Sequence, residues 1–160
     1  MVEKLIHILG KEAALFESFL ELLEQQQRML VANDVEGLNQ VTELQREKMI
    51  ESRILSRQRE QLIEEIKVAN AVEGDLSVTR LLDMVDSNRS DRLSRLRDTI
   101  LSLNDKMLHV RNQNAVLLNR SREYIAKTMK QLAKLHTPDG AYARAGTVPV
   151  SANVAVDRRV

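Results

Sequence analysis

The sequence contains no cysteine and no tryptophan, and it has only two phenylalanines, two tyrosines and two prolines among 160 residues. Without cysteine there is no disulfide, no thiolate nucleophile and no cysteine-ligated zinc or iron–sulfur site. Because aromatic side chains are so few, any core must consist of Leu, Ile, Val and Met. Both prolines, Pro138 and Pro149, lie in the last 23 residues, so nothing in the preceding 137 residues forbids a helix.

The chain also lacks an excess of charge and any long apolar run. Its 24 Lys and Arg residues nearly balance 23 Asp and Glu residues, which gives no preference for a polyanion such as nucleic acid. Apolar runs such as residues 13–16 are short, and residues 1–4 lead into no hydrophobic region, so we expect neither a signal peptide nor membrane insertion. The expected location is the cytoplasm, a reducing compartment.

Apolar residues recur with the period of an α-helix from Leu5 to Leu30, which predicts a first helix over residues 4–32. The helix should end at Asn33–Asp34, because Asn tolerates the left-handed conformation and either residue is a suitable cap for the next helix. Glu36 follows Asn33 by three residues, so a capping box is expected. A tight turn should therefore join two helices.

A second helix is predicted over residues 35–71, with no apolar residue between positions 56 and 61. Such a thin stripe suits packing against one partner helix. Residues 73–75 should then interrupt the helical pattern. Ser77 is a candidate N-cap of a short helix over residues 78–86. Residues 87–90 are predicted as a turn or a kink.

The last helix, predicted over residues 88–135, has the most regular spacing. Its positions 93, 96, 100, 103, 107, 110, 114 and 117 alternate in steps of three and four, the spacing of a coiled coil. The predicted fold class is all-α: an elongated antiparallel helical bundle or coiled coil of three main helices plus one short helix. Residues 1–135 form the predicted helical domain and residues 136–160 a flexible tail, because proline, glycine and small residues replace the periodicity there.

Charge is divided unevenly along the chain. Residues 1–79 carry 9 basic and 15 acidic side chains, whereas residues 80–135 carry 12 and 6. This division predicts that the last helix packs back against the first two. Exposed ion pairs contribute only about 0.2–1 kcal/mol each, so apolar contacts must dominate the packing.

Histidines stand only at positions 7, 109 and 136, too scattered for a helical metal site, and none of the common catalytic motifs occurs. We therefore expect no enzyme, no cofactor and no metal. Glu12 and Gln26 interrupt the apolar stripe of the first helix. The interpretation we prefer is a helix edge that reaches water, and the alternative is a proton-transfer pair or a partner contact.

A basic cluster early in the last helix consists of Arg89, Arg92, Arg95 and Arg97. These side chains are suited to phosphate contacts, as in a nucleic-acid binder, whose affinity would fall steeply with salt. However, Asp91 and Asp98 dilute the charge and no aromatic residue is present for base stacking. We interpret the cluster as a solvated surface that faces the acidic helices.

A polar step at residues 111–114 interrupts the apolar spacing of the last helix, and aliphatic residues continue beyond it. Asn114 at such a position either fixes the helix register or marks a stretch without a full partner. The last helix, about 68 Å long at 1.5 Å per residue, is longer than the second, at about 55 Å. An uncovered stretch would bind an amphipathic helix of another protein. The candidate substrate-protein-binding residues are Asn114, Leu117, Leu118, Ile125, Met129 and Leu132.

Four segments together resemble the FlgN family of flagellar type III export chaperones: residues 22–38, 47–48, 110–118 and 124–125. The first resembles the family's opening of paired leucines, glutamine and aspartate, and the third its asparagine-rich step before paired aliphatic residues. Arg111 stands where the family pattern has its first asparagine, unless Asn112 substitutes for it. Tyr142 and Gly146 resemble a short motif of such chaperone tails.

The resemblance implies a cytoplasmic chaperone that binds an amphipathic terminal segment of hook-associated (hook–filament junction) proteins and prevents their premature assembly. It also implies delivery to the cytosolic domain of the flagellar export gate, with Tyr142 and Gly146 as docking residues. No nucleic acid and no cofactor belong to this function. A self-associating coiled-coil scaffold without an export role remains the alternative.

Overall fold

The computed structural model describes residues 1–136, which form four helices. They are α1 (Val2–Ala32), α2 (Val35–Ala69), α3 (Val78–Leu82) and α4 (Ser87–His136). No strand occurs in these residues, and the predicted all-α class with three long helices and one short helix is confirmed. Within the same range, no helix is long and apolar enough to cross a membrane.

The chain divides into two units, Met1–Glu123 and Tyr124–Val160, and α4 contributes residues to both. The described part of the second unit is the end of α4. The predicted domain boundary at residue 135 and the flexible tail over 136–160 stay predictions.

The turn between α1 and α2 forms where the sequence predicts it. Asn33 adopts the left-handed conformation, with a φ of 55°, and the backbone N–H of Asp34 donates to the Met29 carbonyl over 3.0 Å. The N-cap of α2 is Asp34, whose carboxylate accepts a 2.9 Å hydrogen bond from the Gly37 N–H. The predicted capping box between Asn33 and Glu36 is wrong, because Asn33 ends α1 and does not begin α2.

Ser77 is confirmed as the N-cap of α3, because its hydroxyl accepts a hydrogen bond from the Arg80 N–H over 3.1 Å. α3 ends four residues earlier than predicted, at Leu82. Residues 87–90 are neither a turn nor a kink but the first turn of α4. The reason is a cap at Asp86, whose carboxylate accepts from the Arg89 N–H over 3.0 Å.

Side-chain contacts give the direction of each long helix in the first unit. Glu12 pairs with Arg59 and Gln26 bonds to Gln45, so later positions of α1 meet earlier positions of α2, and the two helices are antiparallel. α4 runs parallel to α1, because Glu3 pairs with Arg89 near one end and Gln27 bonds to Gln113 near the other, both pairs being 86 residues apart. The last helix therefore packs back on α1, as the charge division predicts.

The largest apolar cluster of the first unit joins one end of α1, α2 and α4 to α3 and the segment before it. Its buried members are Leu5, Ile6, Leu9, Leu62, Ile66, Leu76, Leu81 and Leu93. Leu5 and Leu93 are fully buried. Each such side chain contributes about 1.5–3 kcal/mol, so this cluster dominates the packing.

Candidate functional site

The end of α4 presents three apolar side chains in the second unit. Ile125, Met129 and Leu132 are spaced by four and three residues, which places them on one face of the helix. Their exposed fractions are 60%, 63% and 47%. We call these three residues the α4 strip. An apolar face of this kind is typical of a protein-binding surface.

The face of α4 opposite the α4 strip carries charge of one sign. Residues 124–135 include Lys127, Lys130 and Lys134 but no Asp or Glu. At 3.6 residues per turn these lysines lie about 140–200° around the helix from Ile125, so they do not flank the strip.

Two further predicted binding residues lie in the first unit. Leu118 is 45% exposed, whereas Leu117 is half-buried. With the 86-residue separation that relates α1 to α4, Leu118 is level with Ala32, the last residue of α1. Leu118 therefore marks the end of the stretch of α4 that α1 covers.

Asn114, also predicted to bind substrate, lies inside the first unit and is only 5% exposed. Its Nδ2 donates to the Leu23 carbonyl over 2.9 Å and to Gln26 Oε1 over 3.0 Å. Gln26 Nε2 in turn donates to Gln45 Oε1 over 3.3 Å, and Gln45 Nε2 donates to the Leu22 carbonyl over 3.5 Å. This polar layer joins α1, α2 and α4. The geometry is that of the register-fixing alternative, and it keeps Asn114 away from the surface.

The preferred interpretation of Glu12 and Gln26 as a helix edge reaching water is wrong. Gln26 is a half-buried member of the polar layer. The Glu12 side chain is 2% exposed and accepts a 3.0 Å hydrogen bond from Nη1 of Arg59, itself 32% exposed. Burial raises the pKa of the Glu12 carboxyl, and the charge of Arg59 opposes that rise.

Sequence reasoning missed Arg59 as the partner of Glu12, although a signal for it was present. A hairpin that turns at Asn33–Asp34 places Glu12 opposite the part of α2 around Leu55. That is where α2 has no apolar residue between positions 56 and 61. The stretch of α2 without apolar residues therefore lies opposite Glu12, the carboxylate that interrupts the apolar stripe of α1.

The basic cluster of α4 acts largely as predicted. Arg89 and Arg92 pair with Glu3 of α1 at 3.1 and 2.9 Å, and the hydrogen bond from Arg89 is the main reason that the pKa of Glu3 lies below its usual value. Arg97 pairs with Asp98 at 2.9 Å. Arg89 and Arg92 therefore face an acidic side chain of α1, which confirms the interpretation for these two arginines, whereas the partner of Arg97 belongs to α4 itself.

Among residues 1–136, no three His, Asp or Glu side chains come together as a potential metal site. The two residues predicted to dock at the export gate, Tyr142 and Gly146, lie outside the described residues.

The fold and the α4 strip define the class as an all-helical protein that exposes an apolar helix face. A comparison with protein families finds that the model of the FlgN protein matches residues 1–149. The chain belongs to the FlgN family, and the family implies a flagellar export chaperone. No curated protein and no solved structure gives a significant match.

Proposed function

We propose that this FlgN-family chaperone binds an amphipathic terminal segment of hook-associated proteins in the cytoplasm, prevents their premature assembly and delivers them to the cytosolic domain of the export gate. The observation that carries the proposal is the exposed α4 strip. Binding of this kind needs an apolar surface and no catalysis or cofactor. Tyr142 and Gly146 are the residues proposed to contact the gate.

The strip suits moderate and reversible binding. Burying three aliphatic or thioether side chains contributes about 1.5–3 kcal/mol each, or about 4.5–9 kcal/mol in all. Association and side-chain ordering oppose much of this gain, so micromolar affinity, about −8 kcal/mol, requires additional contacts.

The spacing of the strip also suits a coiled coil, so a homo-oligomeric scaffold is the alternative to the chaperone. Sedimentation equilibrium tests this directly, and a stable dimer that persists on dilution would favour the scaffold.

The experiment that tests the proposal compares Ile125→Ala/Met129→Ala with the unaltered chain, using the terminal segment of a hook-associated protein as the titrant in calorimetry. Two anchors leave the surface, so binding should weaken by about 2 kcal/mol or more. The free energy of unfolding should change little, because both side chains are largely exposed.

The matched control is Leu93→Ala, at a fully buried position of the same helix. It should lower the free energy of unfolding by about 2–5 kcal/mol and leave the affinity of the folded protein unchanged. Unchanged binding by the double variant would place the substrate surface elsewhere. Leu118→Ala, measured separately, tests the exposed residue of the first unit.

A further inference from the structure

A second apolar surface lies in the middle of the first unit, at a distance along the chain from the α4 strip. A cavity of about 340 Å³ opens between α2 and α4, with α1 beneath it. Both phenylalanines of the chain, Phe16 and Phe19, lie on the α1 side. Met49 of α2 and Leu108 of α4 line the opposite sides and are half-exposed, so the cavity is open to solvent. We call this cavity the α2–α4 groove.

The groove has a charge pattern that its surroundings do not share. Lys48, Arg53 and Arg111 line it, and no Asp or Glu does. Lys48 pairs with Glu51 at 3.1 Å, but Arg53 and Arg111 form no ion pair with any residue in the described range 1–136. Acidic residues outnumber basic ones over residues 1–79, so the uncompensated charge of Arg53 runs against the local composition, whereas Arg111 lies in the basic stretch 80–135.

We propose that the α2–α4 groove docks an acidic amphipathic helix of a partner protein. Its volume is near the lower limit of ligand pockets, about 300 Å³, so it holds a few anchoring side chains of a helix whose remainder lies outside. Apolar anchors enter between Met49 and Leu108 and contact the phenylalanines. Carboxylates beside the anchors pair with Arg53 and Arg111.

A helix suits this surface because α2 and α4 are antiparallel walls above a third helix, and a fourth helix completes the packing of a bundle. The anchors of an amphipathic helix recur at three- and four-residue spacing, which matches a groove that follows the helix axes. The groove lies wholly in Met1–Glu123, so this proposal does not depend on the binding of hook-associated proteins by the α4 strip.

The test uses two labelled probe peptides with leucine at the same helical anchor positions. One has glutamate and the other lysine at its polar positions, and fluorescence anisotropy measures binding to the full chain. The glutamate peptide should bind at least about tenfold more tightly, and added salt should weaken it because exposed charges are screened. Equal affinity for both peptides, or no binding of the glutamate peptide up to about millimolar concentration, would overturn the proposal.

Charge reversal locates the site. Arg53→Glu/Arg111→Glu should reverse the peptide preference, whereas Arg57→Glu/Arg120→Glu, the same change at exposed arginines that do not line the groove, should keep it. Leu108→Glu should weaken the binding of the glutamate peptide by about tenfold or more. All of these side chains are exposed, and helical content checks that each variant folds. If Ile125→Ala/Met129→Ala abolishes peptide binding and Arg53→Glu/Arg111→Glu does not, the α4 strip is the site and the proposal is refuted.

Discussion

Replacing Arg59 by methionine isolates the cost of the buried Glu12 carboxylate. The substitution keeps the aliphatic packing of the side chain and removes its charge. Removing one partner of a buried ion pair costs about 3–5 kcal/mol, because the other charge stays desolvated. Arg59 is about one-third exposed while Glu12 is almost fully buried, so we expect a somewhat smaller loss, about 2–4 kcal/mol, at about pH 7. Urea denaturation followed by circular dichroism measures it.

The pH dependence of this loss follows from the raised pKa of Glu12. Burial makes the folded state hold the proton more tightly than the unfolded state. The free energy of unfolding therefore decreases as pH rises from the unfolded pKa to the folded pKa, by up to about 1.4 kcal/mol per pH unit. In Arg59→Met the pH range between the unfolded and the folded pKa of Glu12 widens, because the charge that lowers the folded pKa is gone. The deficit should shrink when the measurement is repeated at about pH 5.

The double variant Glu12→Leu/Arg59→Met completes the test. With both charges replaced by apolar side chains, the unfolding free energy should return to at least that of the unaltered chain. A deficit that persists in the double variant, or that does not change between about pH 7 and pH 5, would show that Arg59 acts through packing and not through the carboxylate.

Three other predictions concern a cap, the polar layer and a surface pair. Asp34→Ala should lower the free energy of unfolding by about 1 kcal/mol in urea titrations, because the Gly37 N–H loses its acceptor. Asn114→Leu should lower it by about 1–3 kcal/mol, because Gln26 Oε1 and the Leu23 carbonyl lose their donor in a buried layer, and a thermal midpoint that rises instead would contradict this. Glu3→Gln should flatten acid unfolding: the lowered pKa of Glu3 stabilises the fold above the usual Glu value, and this is lost as pH falls through the folded pKa.

The helices and their ends were predictable because they depend on local chemistry. The left-handed Asn33, the cap at Ser77 and the apolar spacing of the long helices involve residues a few positions apart. The capping assignment failed where two neighbouring residues offered the same chemistry, at Asn33 and Asp34. The choice between them depends on which residue occupies the backbone position immediately before α2.

What the sequence alone determined is the helical class, the turn positions and the apolar faces; which faces are covered was decided by the tertiary structure. Leu103 and Leu117 occur in the same apolar spacing of α4, yet Leu103 is buried and Leu117 is only half-buried. Periodicity identifies a helix face, but burial requires that another helix extend to the same level. The pairing of Glu12 with Arg59 and of Asn114 with Gln26 likewise depends on register between distant segments. Desolvation makes those polar contacts costly to leave unpaired, so they stabilise one helix register over its alternatives.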